Sequence, residues 1–198
     1  MLICVTNRKL CRDNFIERIN KIAEGKPYAI MLREKDMNIS EYECLAVKIK
    51  DICNKSNVKF IINNNIETAV KLGIPNIHLS MSALRIHKNR LSQFTNIGAS
   101  VHSLDEAKEA GELGASYIIA GHIFPTDCKQ GVPPRGLSFL QEICYFSSIP
   151  VFAIGGITSD KKNDIIKTGA KGMCIMSQIM DCTNPIDCIN SFLFNRLP

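Results

Sequence analysis

Apolar residues along this chain come in two rhythms. Short continuous runs, rich in β-branched residues, occur at LICVT (2–6), YAIML (28–32), KFIIN (59–63), NIHLS (76–80), NIGAS (96–100), YIIAG (117–121), VFAIG (151–155) and MCIMS (173–177). Between them, segments such as NFIERINKIAEG, YECLAVKIKDIC and LSFLQEICYF place apolar residues three and four apart, the spacing of an amphipathic helix. AVKLGIPNIHLS, AGELGASYIIAG and IIKTGAKGMCIMS each run helix, glycine, short link, strand; glycine accepts the left-handed geometry that ends a helix. Strands that are apolar throughout, rather than alternating, predict a parallel sheet covered on both faces. Eight strand–helix units predict an α/β fold, a (β/α)8 TIM barrel, with a doubly wound open sheet as the alternative.

Composition narrows the class. The 198 residues, 45% hydrophobic and 22% charged, predict one domain over 1–198 with a core that needs no staples. MLICVTNRK lacks the layout of a signal peptide, and no apolar run approaches the roughly 20 residues of a bilayer span, so a cytoplasmic protein without a membrane partner is expected. Nine cysteines, an odd number without a Cys-x-x-Cys pair, fit free thiols better than disulfides or thiolate-bound metal. The net charge of +5 carries no basic block, so nucleic acid is not expected as a partner. A homo-oligomer is left open.

In a barrel of this kind, chemistry gathers at the C-terminal ends of the strands. Those ends carry Arg33 and Lys35, Asn63 and Asn64, His78 and Ser80, Ser100 and His102, then His122, Thr126, Asp127 and Lys129, then Gly155, Gly156 and Ser177. The Gly-Gly turn of VFAIGGITSD, followed by an N-cap-like Thr-Ser-Asp, suits a phosphate held by backbone amides, with Ser177 adding a hydroxyl; the alternative is a plain tight turn. Arg33 and Lys35 point the same way if the second strand runs through them, offering two cations to an anionic group; the alternative is a solvated rim pair. Among the histidines, His87 reads as surface, His78 as a barrel histidine and His102 as an aid to the helix starting at SLDEA. His122 follows the glycine ending strand six, in a loop facing the barrel mouth with Thr126 and Lys129; spacing alone leaves it between packing and proton transfer.

MLREK, FIINN, IGASVHSLDEA, AGHIFPTDCK, IPVFAIGGI and GMCIMS occur in order, and together they resemble the thiamine phosphate synthase superfamily. That resemblance implies a (β/α)8 fold and phosphorylated small-molecule substrates. Synthase members join a pyrimidine diphosphate to a thiazole phosphate with magnesium held by two Asp carboxylates; here those positions fall on Asn64 and Ala83. The synthase pattern also has Pro where His122 stands and Thr where Cys128 stands. AGHIFPTDCKQGVPPRGL looks like the thiazole tautomerase branch, which implies an isomerase whose catalytic His122 moves a proton on a carboxylated thiazole phosphate, with no cofactor and no metal. On this resemblance Gly155, Gly156 and Ser177, with Thr126 beside them, match a thiazole phosphate site. Arg33, Lys35, Asn63, Ser100 and Lys129 match positions that bind pyrimidine diphosphate in synthases and would instead hold the thiazole carboxylate or be remnants. The rival expectations are a magnesium-dependent synthase and a non-catalytic thiazole-phosphate-binding barrel.

Overall fold

A computed structural model describes residues 1–193. Eight parallel strands follow the chain in order and close into a barrel, each followed by helix, so the fold is the expected (β/α)8 TIM barrel. The strands are β1 (Leu2–Val5), β2 (Ala29–Leu32), β3 (Lys59–Asn63), β4 (Asn76–Ser80), β5 (Asn96–Val101), β6 (Tyr117–Gly121), β7 (Val151–Ile154) and β8 (Gly172–Ile175). Gly73, Gly114 and Gly169 take φ of +59°, +91° and +93°, the left-handed helix ends that the sequence called for. The apolar run MCIMS does not stay extended: β8 ends at Ile175, and Ser177 already opens a helix. Two compact units divide the contacts, Met1–Ile74 with the described residues from Ile175 on, and Pro75–Cys174.

In the first unit, β1, β2 and β3 pair in register, with Ile3 opposite Ala29 and Ala29 opposite Lys59. Helix α1 (Phe15–Glu24) starts where the Asn14 side chain accepts from the amides of Ile16 and Glu17, and it buries Ile19, Ile22 and Ala23 on one face. That face also carries Arg18, only 2% exposed. A buried guanidinium survives only if its donors are used; Arg18 pairs with Asp13 at 2.6 and 2.9 Å and donates to the carbonyls of Ile179 and Cys182 at 3.0 and 2.9 Å. It thereby ties α1 to α8 (Ser177–Asp181). Helix α2 (Ile39–Ser56) is capped by Asn38 and ends on left-handed Asn57; α3 (Ile66–Lys71) is capped by Asn65. Helix α9 (Pro185–Phe192) begins with Pro at its first turn and buries Ile189 and Phe192.

In the second unit, β4 to β8 pair in sequence, followed in turn by α4 (Met81–Ile86), α5 (Leu104–Glu112), α6 (Gly136–Phe146) and α7 (Lys162–Lys167). Helix α5 starts as SLDEA predicts: the Ser103 hydroxyl accepts from Glu106 N, and the Glu106 carboxylate reaches back to accept from His102 N. Side chains buried in this unit include His78, Tyr117 and Phe152, with ring centroids 5.6 and 5.7 Å apart in succession. Gly98 makes room for them, because a Cβ there would collide with both the His78 and Tyr117 rings.

Candidate functional site

At the ends of β1 and β2, the chain departs from the simple alternation expected of Arg33 and Lys35. Strand β2 stops at Leu32, so the two cations do not share a strand face; Arg33 is half-buried and Lys35 exposed. Glu34 between them is 5% exposed and accepts from the Thr6 hydroxyl at 2.7 Å, from Arg8 N at 3.0 and 3.1 Å, and from the Arg8 guanidinium at 3.3 Å. Arg8 also grips Asp36 through two bonds, and together with Lys9 holds that carboxyl well below its usual range. Arg33 behaves differently. Its backbone N–H donates to Thr6 Oγ1 at 3.0 Å, and its guanidinium reaches the thioether of Met176 at 3.8 Å, beside Ser177. A thioether is a weak acceptor, and no carboxylate pairs with Arg33 among the described residues. Ser177 itself is exposed at the start of α8.

The ends of β3 and β4 are where a carboxylate-held metal would belong. Asn63 is half-buried, with its amide 4.0 Å from Met31 Sδ, while Asn64 is exposed with φ of +57°, a left-handed conformation that Asn tolerates. The Ser80 hydroxyl is used as the cap of α4, accepting from Ala83 N at 3.3 Å. An amide and a methyl group replace the two expected carboxylates. Among the described residues no group of three or more His, Cys, Asp or Glu side chains is placed to hold a metal. This donor set does not fit a hard cation such as magnesium, which proteins usually hold through one or two carboxylates alongside water and substrate phosphates.

After β5, the half-buried Ser100 hydroxyl lies 2.8 Å from His78 Nε2. Burial pushes the His78 imidazole down to about 3, so it stays neutral. His102 is exposed; its backbone N–H serves the capping box of α5, while its ring turns to the carbonyl of Gly121, at 2.7 Å from Nδ1.

The loops after β6 and β7 are fastened to each other. Past the strand ends, Ile123 N donates to Ile154 O and Phe124 N to Gly155 O, extending the β6–β7 ladder. His122, which follows a cis peptide bond, is 7% exposed, its side chain buried beside this ladder. Its Nε2 lies 3.2 Å from the Val132 carbonyl, and its own carbonyl accepts from Arg135 N at 2.9 Å. Gly155 and Gly156 have φ of +101° and +61°. A Cβ at Gly155 would run into His122, and one at Gly156 would lie 2.8 Å from the Phe124 carbonyl oxygen, so both glycines answer first to the close approach of the neighbouring loop. Thr158 makes no side-chain cap, and a 3-10 turn precedes α7, so the expected helix N-cap after the glycines does not form. Lys161 fills that place: its ammonium donates to the Gly156 carbonyl at 2.9 Å and sits over the Phe124 ring. Thr126 caps a short turn that carries exposed Lys129.

Thr6 and Glu34 escaped the sequence reading for different reasons. Thr6 closes the first apolar run, and the same strand-end filter applied there would have found it. Glu34 gave no signal, because its partner lies 28 residues away.

A parallel barrel with cations and small polar residues at the C-terminal ends of its strands has them on the face where barrels of this class build their sites. The sequence matches the family model described as thiamine monophosphate synthase over residues 2–179. The thiamine-phosphate synthase of Desulfitobacterium hafniense is 34% identical over 188 residues, spanning 93% of this chain and 91% of that protein. That of Methanobrevibacter smithii is 31% identical over 186 residues, 93% of this chain and 89% of the other. The solved thiamine phosphate pyrophosphorylase of Pyrococcus furiosus superposes with a TM-score of 0.86 at 28% identity, covering 96% and 92% of the two chains. The chain belongs to the thiamine monophosphate synthase family. These relatives overturn the isomerase expectation, since each is named as a synthase or pyrophosphorylase and none as a tautomerase. The tautomerase expectation rested on one loop, AGHIFPTDCKQGVPPRGL, whereas these matches run over nearly the whole chain. No described helix is long and apolar enough to cross a membrane.

Proposed function

We propose that this chain is a transferase that joins a pyrimidine diphosphate to a thiazole phosphate, forming thiamine phosphate. The observation that carries this reading is Arg33: its guanidinium reaches Met176, just past the end of β8, and no carboxylate among the described residues pairs with it. A planar cation with donors to spare suits a diphosphate. In joining the two substrates, the lone pair of the thiazole ring nitrogen forms a carbon–nitrogen bond to the pyrimidine's methylene carbon as that carbon's bond to oxygen breaks, and the departing diphosphate takes up the electron pair of the broken bond. Arg33, Lys35 and Lys129 supply positive charge for that step, and Asn63 and Ser100 supply neutral hydrogen-bonding groups. Gly155, Gly156, Thr126 and Ser177 serve the thiazole phosphate. Because Asn64 and Ala83 do not fit magnesium, no step is assigned to the ion, and the chain's own cations bear the load.

The test is direct. The purified protein is incubated with both substrates and the products are separated; thiamine phosphate and inorganic pyrophosphate should appear in equal amounts. Arg33→Ala should raise KM for the pyrimidine diphosphate and lower kcat, with Arg33→Lys in between. Thiazole phosphate binding without any product would refute the transferase and leave a binding barrel.

A further inference from the structure

Resting on that reading, we infer that Thr6 and Glu34 form a positioning device that fixes where Arg33 presents its charge to the diphosphate. The Thr6 hydroxyl donates to Glu34 Oε1 at 2.7 Å and accepts from Arg33 N at 3.0 Å. A carboxylate can only accept, so the hydroxyl hydrogen is committed to Glu34 and the oxygen's lone pairs are turned to the Arg33 amide. The backbone of Arg33 is thereby pinned to the end of β1, one residue past the point where β2 stops holding it.

The device also settles the local charges. Glu34 would repel a diphosphate, but it takes its bonds from the Arg8 backbone and guanidinium, and Asp36 takes the rest of Arg8 together with Lys9 at 2.9 Å. Two carboxylates thus face two cations, and Arg33 stands outside that balance. Burial of Glu34 at 5% exposure makes the arrangement stiff: with one partner removed, a carboxylate with few routes to water would have to find another. Neither Thr6 nor Glu34 touches substrate in this account; both act through Arg33.

Thr6→Val keeps the shape of the side chain and deletes the hydroxyl, whereas Thr6→Ser keeps the hydroxyl. Inorganic pyrophosphate and, separately, thiazole phosphate are titrated calorimetrically into the wild-type protein, both Thr6 variants, Glu34→Gln and Arg33→Ala, with melting temperatures recorded alongside. Thr6→Val should weaken pyrophosphate binding by about tenfold, the worth of one such hydrogen bond, and leave thiazole phosphate affinity unchanged; Thr6→Ser should bind as wild type. Wild-type pyrophosphate affinity in Thr6→Val, or an equal loss for both ligands, overturns the device. Should Glu34→Gln fail to fold, the Thr6 pair decides alone. If Arg33→Ala loses pyrophosphate while Thr6→Val keeps it, the transferase stands and the positioning role falls. A wild-type protein that ignores pyrophosphate removes both.

Discussion

Gly155 lies so close to His122 that a Cβ added to it would be 2.8 Å from the His122 Cα and closer still to its Cβ. With φ at +101°, the position is hostile to a side chain on two counts. Gly155→Ala should destabilise the protein by roughly 2–5 kcal/mol, from left-handed strain plus overpacking, read as a shift in the urea midpoint. In a His122→Gly background part of that cost should disappear, because the Cβ collision has gone; strict additivity of the two changes would show that the contact is not what excludes the side chain.

Metal dependence gives a second test. Pyrophosphate affinity and turnover should be the same in chelator as in buffer, because Asn64 and Ala83 offer no carboxylate. Restoring both, as Asn64→Asp with Ala83→Asp, should introduce magnesium-dependent pyrophosphate binding. A wild-type protein that loses most of its turnover in chelator would contradict this account of the strand ends.

His78 predicts a pH effect on stability. Its folded value is pushed down to about 3 by burial against Tyr117 and Ser100, while an unfolded imidazole titrates near ~6.5. Between those values the unfolded chain binds a proton that the folded chain refuses. Stability is therefore full above the unfolded value and falls as pH drops, by at most ~1.4 kcal/mol per pH unit from this group. His78→Phe should remove that contribution, so that between about pH 7 and about pH 5 the wild type loses up to ~2 kcal/mol more than the variant. Parallel pH profiles would mean that His78 is protonated in the fold.

Two ion pairs near the start of α1 should differ in worth. Arg12 and Asp181 pair with side chains 72% and 48% exposed, so Arg12→Ala should cost no more than ~1 kcal/mol. Among the described residues, Asp13→Ala leaves the buried Arg18 guanidinium with carbonyl and thiol partners alone, and should cost ~3 kcal/mol. Equal losses in a chemical denaturation series would mean that Arg18 finds water when its partner is removed.

The barrel was legible because strand identity is written locally: LICVT, KFIIN and YIIAG are apolar whatever surrounds them, and the helix–glycine–strand junctions at Gly73, Gly114 and Gly169 repeat one backbone requirement. The strand ends were legible less well. MLREKD reads as two cations for an anionic group or as a solvated rim pair, and nothing within it reveals that Glu34 turns inward while Arg33 reaches Met176, because Thr6, Arg8 and Met176 are far away in sequence. VFAIGGITSD reads as a phosphate cradle, yet Gly155 and Gly156 are first required by the loop packed on them. His122 was left between packing and proton transfer for the same reason, since the burial that brings it against Gly155 depends on a neighbour 33 residues further on.

The fastening of residues 123 and 124 to Ile154 and Gly155 also restricts how ligands can come and go. A flap hinged at the base of the loop after β6 would have to unzip two main-chain hydrogen bonds and shift the glycine turn with it. Opening is therefore confined to the outer part of that loop, the stretch bearing Thr126 and Lys129. The amides of Ile123 and Phe124 should exchange with deuterium as slowly as those of β6, and far more slowly than those of residues 127–131, so that traffic through the mouth proceeds without melting its floor.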